Sequence, residues 1–134
     1  MTMEVQVEQV GPTTSKGTAR GHSVLIDRPT AKGGEDRGPL GGEVMLVALG
    51  GCYMSNLLAA IRAREAKVSD VRITVVGEVG GSPDRVEAFT LKIRAKYDDR
   101  DEMQKLITIA ERVCIVTNTL KAGARVTNVL EDGE

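Results

Sequence analysis

Cys52 and Cys114 are the only two cysteines in this chain of 134 residues. They stand 62 positions apart, and each lies in a segment with a helical pattern. Sulfur is the one strongly nucleophilic, redox-active element here, so two thiols could share an attacking and a resolving role. A free cysteine is also commonly a small buried apolar residue, and spacing alone leaves both interpretations open.

The surroundings of Cys52 are small and mildly polar. On an ideal helix its neighbours one turn away are Ala48, Leu49, Ser55 and Asn56. Gly50 and Gly51 beside it each cost about 1 kcal/mol of helix propensity. Such glycines suit a place where another helix, or a substrate, approaches the backbone closely.

A thiolate at Cys52 would need a cation, because a free thiol has a pKa near ~8.5 and a mid-helix residue lies far from the helix dipole's positive end. Arg20 and Arg37 are the candidates, with Arg20 preferred, although either could be an ordinary surface charge. Glu43 lies nine residues before Cys52, on the opposite side of a regular helix. We expect it to act at the helix start or against a second subunit.

Composition excludes several functions. The formal net charge is −1 and aromatic residues make up 2% of the chain, which argues against nucleic acid or an anionic membrane as a partner. His22 is the only histidine, and it forms no standard metal-ligand spacing with the cysteines. We therefore expect no metal and no cofactor. The polar N-terminus and the cysteine count indicate a reducing, cytoplasmic location.

Periodicity predicts one α+β domain over residues 1–134. Residues 3–10 alternate as a strand, and residues 18–27 form a second strand, with a turn at Gly21 as an option. The glycine-rich loop 30–42 should be exposed and mobile, as a lid or a dimer contact. The remaining predicted elements are a helix from 42 or 43 to 67, strands 71–79 and 86–95, helices 101–113 and 116–122, a strand 124–130 and an acidic tail 131–134.

Residues 44–61 form an uncharged stretch of 18 residues, close to the length of a membrane span. Its glycines, Ser55 and Asn56, and the soluble pattern around it favour a buried helix instead. A domain of this size has difficulty covering such a helix alone. The sequence therefore predicts an obligate homodimer that does not span a membrane.

Two segments resemble the OsmC/Ohr family, the osmotically inducible protein C and organic hydroperoxide resistance proteins. Gly42-Glu-Val-Met-Leu-Val-Ala-Leu-Gly-Gly-Cys52 is similar to the family's ELLLAALGGC segment. Glu111-Arg-Val-Cys-Ile-Val-Thr-Asn-Thr-Leu120 is similar to its CPVSNTL segment. Gly21–Asp27 and Gly33–Asp36 resemble the strand and loop upstream of the first helix. The order of elements also agrees across most of the chain.

The resemblance implies an OsmC-like fold, with long helices back to back at the centre of an intertwined homodimer and antiparallel sheets around them. It implies that Cys52 attacks an organic hydroperoxide or hydrogen peroxide, and that Cys114 resolves the sulfenic acid to a disulfide. An external dithiol then reduces that disulfide. Arg20, with Arg37 in reserve, would activate Cys52.

Two positions depart from the family pattern. Gly42 stands where the peroxidases carry an acidic residue ten positions before the first cysteine, with Glu43 one step away, and Ile115 replaces the proline after the second cysteine. Besides a thiol peroxidase, the sequence is compatible with a non-catalytic dimer that binds an apolar small molecule at its subunit interface. A redox sensor that forms disulfides with another protein is a third hypothesis.

Overall fold

The computed structural model of the chain describes residues 1–131 and 133 and confirms an α+β architecture with antiparallel sheets. The chain divides into two compact units, Met1–Ala48 and Leu49–Glu134. The strands are β1 (Gln6–Gln9), β2 (Ser15–Ala19), β3 (His22–Ile26), β4 (Val68–Gly80) and β5 (Arg85–Tyr97). The helices are α1 (Gly41–Ala63), α2 (Arg100–Val113) and α3 (Ile115–Ala122), with a 3₁₀ turn at Thr30–Lys32.

The first unit is built on a three-stranded antiparallel sheet of order β1-β2-β3. A continuous strand over residues 18–27 is not formed, because the chain reverses at Arg20-Gly21 and pairs Ala19 with His22. The turn at Gly21, given as an option, is the form that the structure has. Both turn residues have positive φ, 51° and 85°, as a tight two-residue hairpin requires. Arg20 therefore lies on a hairpin turn and not within a strand.

The glycine-rich loop is largely exposed, as predicted, and hydrogen bonds join it to the rest of the first unit. The backbone N–H of Asp27 donates to the Pro39 carbonyl and that of Asp36 to the Arg28 carbonyl, each at 3.0 Å. A Cβ on Gly34 would overlap the carbonyl of Arg28. Backbone groups thus hold this loop in one conformation, with much of its surface exposed.

The second unit packs helices against the long β4–β5 hairpin. Alternate residues of both strands face inward, and the ladder runs from Val68 opposite Tyr97 to Gly80 opposite Arg85. The helices add the fully or nearly buried residues of the core: Tyr53, Leu57, Ala60, Met103, Leu106, Ala110 and Cys114. This aliphatic core is the scaffold on which both thiols sit.

Gly50 explains how α1 approaches the sheet. A Cβ at this position would come within 2.8 Å of Val75 Cγ2 on β4, which is closer than carbon atoms normally approach. Gly51 has no neighbour within 4 Å of an added Cβ, among the residues that the structure describes. Close approach, expected at both glycines, is therefore found within the chain at Gly50 alone.

Within the single chain, helix α1 is buried on one face. The predicted burial of its other sides, by a second subunit, stays a prediction. Leu49, Tyr53, Leu57 and Ala60 point into the core. The opposite face carries Val47, which is 68% exposed, and Leu58, which is 50% exposed. By length and composition α1 could cross a membrane, a test that core helices of soluble proteins also pass.

The predicted strand 124–130 is not formed. Residues 123–131 adopt no regular secondary structure, and Val126, Val129 and Leu130 are largely exposed. The segment therefore pairs with no strand of its own chain in the part that the structure describes. Positions 132 and 134 of the predicted acidic tail lie outside the described residues.

Candidate functional site

Cys52 lies in the middle of α1 and is partly buried. Its side chain packs against the core cluster of the second unit. The Asn56 side-chain amide, one turn later, donates to the Cys52 carbonyl at 3.0 Å and approaches its sulfur at 3.9 Å. Cys52 is thus a free thiol between the core and the surface.

Cys114 ends α2 and begins α3. Its sulfur accepts a hydrogen bond from the backbone N–H of Thr117 at 3.5 Å, which makes it the N-terminal cap of α3. The side chain is fully buried. Although burial raises the pKa of the Cys114 thiol, hydrogen bonds from Thr117, Cys52 and Val116 outweigh it and hold that pKa below its ordinary value.

The two thiols meet in the core of the second unit. Cys114 belongs to the core cluster, Cys52 packs against that cluster, and the Cys52 side chain is among the donors that lower the pKa of Cys114. Both are free thiols in this structure. Two neighbouring thiols of this kind could form a disulfide reversibly.

Tyr53 is a neighbour of this pair that the sequence did not single out. Its hydroxyl donates to the Ile107 carbonyl at 2.9 Å, and the side chain is only 4% exposed. Burial, with the negative charges of Glu111 and Cys114, raises the pKa of Tyr53 to about 12. Tyr53 therefore stays protonated at neutral pH, as a fixed wall beside Cys114.

Tyr53 also lines an open cleft of about 540 Å³. Leu49, Phe89, Leu91, Ile107 and Leu120 supply its apolar lining. Glu111 and Lys121, joined by a 2.8 Å ion pair between α2 and α3, supply its charged part. The cleft could take an apolar molecule with a polar end.

The first unit contains the other predicted site residues. Arg20 is exposed on the β2–β3 turn, and Arg37 is exposed in the loop, where its guanidinium lies against Gly11. Glu43, in the first turn of α1, accepts the backbone N–H of Leu40 at 2.8 Å, as its predicted place at the helix start requires. An activating role for any of the three remains a prediction.

Asp27 was missed by the sequence interpretation, which treated it as the end of a strand. Its buried carboxylate accepts from the Thr14 hydroxyl at 2.8 Å and from the backbone N–H of Arg28 and Arg37. These bonds and one from Thr13 outweigh desolvation and lower the pKa of Asp27 to about 2. An acidic residue closing a strand before a glycine-rich loop was the available signal.

Comparison with known proteins decides the family. The family model of OsmC-like proteins matches residues 33–128. The chain belongs to the OsmC-like protein family. The match spans the loop, α1 with Cys52, the β4–β5 hairpin and the α2–α3 segment with Cys114. No functionally curated protein matches the sequence significantly.

Solved structures support the same fold. An OsmC-like protein from Mycoplasma pneumoniae is similar over 90% of this chain and 88% of its own, with a TM-score of 0.73 and 13% identity. The organic hydroperoxide resistance protein OhrB of Bacillus subtilis is similar over 90% and 91%, with a TM-score of 0.65 and 18% identity. An organic hydroperoxide resistance protein from Elizabethkingia anophelis is similar over 90% of this chain and 90% of its own, with a TM-score of 0.63 and 18% identity.

Proposed function

We propose that this OsmC-like protein is a thiol-dependent peroxidase that reduces organic hydroperoxides or hydrogen peroxide. The observation that carries the proposal is the packing of Cys52 against the core cluster that contains Cys114. Family membership and the likeness to hydroperoxide resistance proteins support it. The structural relatives share less than a quarter of their sequence with this chain, so the residue roles are argued from its own geometry.

Cys52 is the attacking thiol in this proposal because it is partly exposed, whereas Cys114 is fully buried. The Cys52 thiolate attacks one peroxide oxygen, the O–O bond breaks, and the alcohol leaves after taking up a proton. The sulfur, oxidised by two electrons, becomes a sulfenic acid. Arg20, with Arg37 in reserve, is proposed to stabilise the thiolate, and Glu43 to act at the start of α1 or against a second subunit.

Cys114 is the resolving thiol. Its hydrogen bonds favour the thiolate, which attacks the Cys52 sulfur. The S–O bond breaks, hydroxide leaves as water after taking a proton, and a Cys52–Cys114 disulfide forms. An external dithiol then returns both cysteines to thiols and is itself oxidised to a disulfide.

Serine variants test these roles. We expect Cys52→Ser to abolish consumption of cumene hydroperoxide, because the attacking atom is gone. Cys114→Ser should still consume about one equivalent and then stop, with Cys52 held as a sulfenic acid that dimedone labels. The measurement is peroxide consumption with a dithiol present, followed by mass spectrometry. Equal turnover by Cys52→Ser and the wild type would contradict the assignment.

We also propose that two chains form a homodimer through the exposed face of α1. Val47, Gly51, Ser55 and Leu58 recur on that face, and a second copy would remove their apolar surface from water. Small residues there allow two helices to approach closely. Localisation in the cytoplasm is part of the same proposal, because the cycle needs a dithiol pool.

The second candidate is a non-catalytic protein that binds an apolar small molecule. The cleft of about 540 Å³ beside Tyr53 favours it, because its size and its largely apolar lining suit a small ligand. Under this function the two cysteines are only packing residues of the core and take no part in chemistry. A Cys52→Ser/Cys114→Ser double variant that protects cells from hydroperoxide as well as the wild type would favour binding over catalysis.

A further inference from the structure

The two sulfur atoms differ in how they can be reached. Cys114 is fully buried at the α2–α3 junction, whereas Cys52 is partly exposed in α1. A thiolate that opens a disulfide must approach the sulfur that it attacks from the side opposite the S–S bond. In the pair formed by these two cysteines, a reductant from solvent therefore reaches the Cys52 sulfur first.

The two sulfur atoms also differ in how well they would carry a departing negative charge. The Cys114 sulfur accepts the Thr117 backbone N–H at 3.5 Å. The Thr117 side chain and the Val116 backbone also act to lower the pKa of the Cys114 thiol. The Cys52 sulfur has a longer contact, 3.9 Å, with the Asn56 amide, which also donates to the Cys52 carbonyl at 3.0 Å. A thiolate that is better stabilised leaves a disulfide faster.

We propose that disulfide reduction is directional: an external dithiol attacks Cys52, Cys114 leaves as the thiolate, and Thr117 is the positioning residue that holds the leaving sulfur. This inference rests on the proposed dithiol–disulfide cycle. One sulfur of the dithiol bonds to Cys52 Sγ as the Cys52–Cys114 bond breaks, and Cys114 takes the electron pair. The second sulfur then attacks the mixed disulfide, and Cys52 leaves as a thiolate, which takes up a proton.

Mapping the mixed disulfide tests the direction. The wild-type disulfide is formed with diamide, without peroxide, exposed briefly to glutathione, quenched in acid and alkylated with N-ethylmaleimide. We expect peptide mass spectrometry to place glutathione on Cys52 and the alkyl group on Cys114. Glutathione on Cys114, or failure of diamide to link the two cysteines, would overturn the inference. A protein that gives the expected map but ignores cumene hydroperoxide would refute only the proposed peroxidase.

Thr117→Val tests the positioning residue, because it removes the hydroxyl and keeps the backbone N–H and the side-chain shape. We expect disulfide reduction by a dithiol to slow about threefold to tenfold, and alkylation of Cys114 in the reduced protein to require a higher pH. Thr117→Ser should restore both. Cys52 and Tyr53 on α1 are titratable groups that interact with Cys114. Glu111 on α2 acts on Tyr53 and forms an ion pair with Lys121 on α3.

Thr119→Val is the matched control, because the Thr119 hydroxyl donates to the Ile115 carbonyl within α3 at 2.8 Å. It should leave both the reduction rate and the pH profile unchanged. A Thr117→Val protein that matches the wild type in both measurements would exclude the positioning role. Circular dichroism identifies a variant that fails to fold, and the glutathione map of the wild type decides the direction without any variant.

Discussion

The carboxylate of Asp27, directly after β3, accepts hydrogen bonds from residues before β2 and from the loop that follows β3. It accepts from Thr14 on the strand side and from the backbone N–H groups of Arg28 and Arg37 on the loop side. These bonds favour the ionised form, so the folded protein holds the pKa of Asp27 at about 2, below its ordinary 3.8. The charge of one residue therefore fastens the loop that carries Arg37.

Asp27→Asn should destabilise the protein at neutral pH, because an amide accepts fewer of these bonds. The contribution of the carboxylate is present above about pH 4 and is lost as the pH falls towards 2, since its folded pKa lies below its unfolded pKa. Urea unfolding of variant and wild type at several pH values measures this. We expect the gap in unfolding free energy to narrow from pH 4 to pH 2.

Asp84→Asn is the control, because Asp84 is exposed in the β4–β5 turn. It should change stability little at any of these pH values. A gap between Asp27→Asn and the wild type that stayed constant from pH 7 to pH 2 would show that the hydrogen-bonded charge has no special role.

At the scale of elements, the position of α1 on the β4–β5 hairpin depends on Gly50. An added Cβ would come within 2.8 Å of Val75 Cγ2, and valine has little freedom to turn away. The position of Cys52, two residues later, therefore depends on the absence of a side chain at Gly50. The close contact between Gly50 and Val75 thus helps to set the position of α1 at the thiol site.

Gly50→Ala should destabilise the protein by about 1–3 kcal/mol, the range for overpacked cores. Val75→Ala on its own should also destabilise it, through a cavity. The double variant should be more stable than the sum of the two changes predicts, by about 1 kcal/mol or more, because each relieves the other's defect. Urea unfolding of the four proteins measures the coupling, and simple additivity would contradict the contact.

The sequence predicted much at this scale. The residue pattern predicted α1, α2, α3 and the β4–β5 hairpin close to their observed bounds. It gave the β2–β3 turn only as an option at Gly21, because Arg20, the first turn residue, has a positive φ at a position where glycine or asparagine is more usual. It missed the fastened loop because the bonds to Asp27 come from backbone groups, which residue types do not reveal.

At the scale of the whole molecule, two of the apolar surfaces among the described residues lie where the sequence predicted burial or pairing. One is the α1 face that carries Val47 and Leu58, and the other is the segment 124–130 with Val126 and Leu130. The sequence predicted a buried helix and a final strand at these places. In the proposed homodimer, a second copy would cover the exposed face of α1. It could also contact residues 124–130, which would remove their apolar side chains from water.

Leu58→Glu should convert the proposed dimer to monomers, because a charge would be buried where two α1 helices meet. Analytical ultracentrifugation across a range of protein concentrations measures the mass in solution. Lys92→Glu, on the exposed face of β5, is the control and should remain dimeric. A wild-type protein that is monomeric at all concentrations would contradict the proposed assembly.

The most direct test of the central claim is a count of thiols after oxidation. Reduced protein is mixed with one equivalent of cumene hydroperoxide, alkylated and digested for mass spectrometry. Our account predicts one new species, a peptide pair linked through Cys52 and Cys114, and the loss of both free thiols. Two alkylated cysteines and unconsumed peroxide would contradict it.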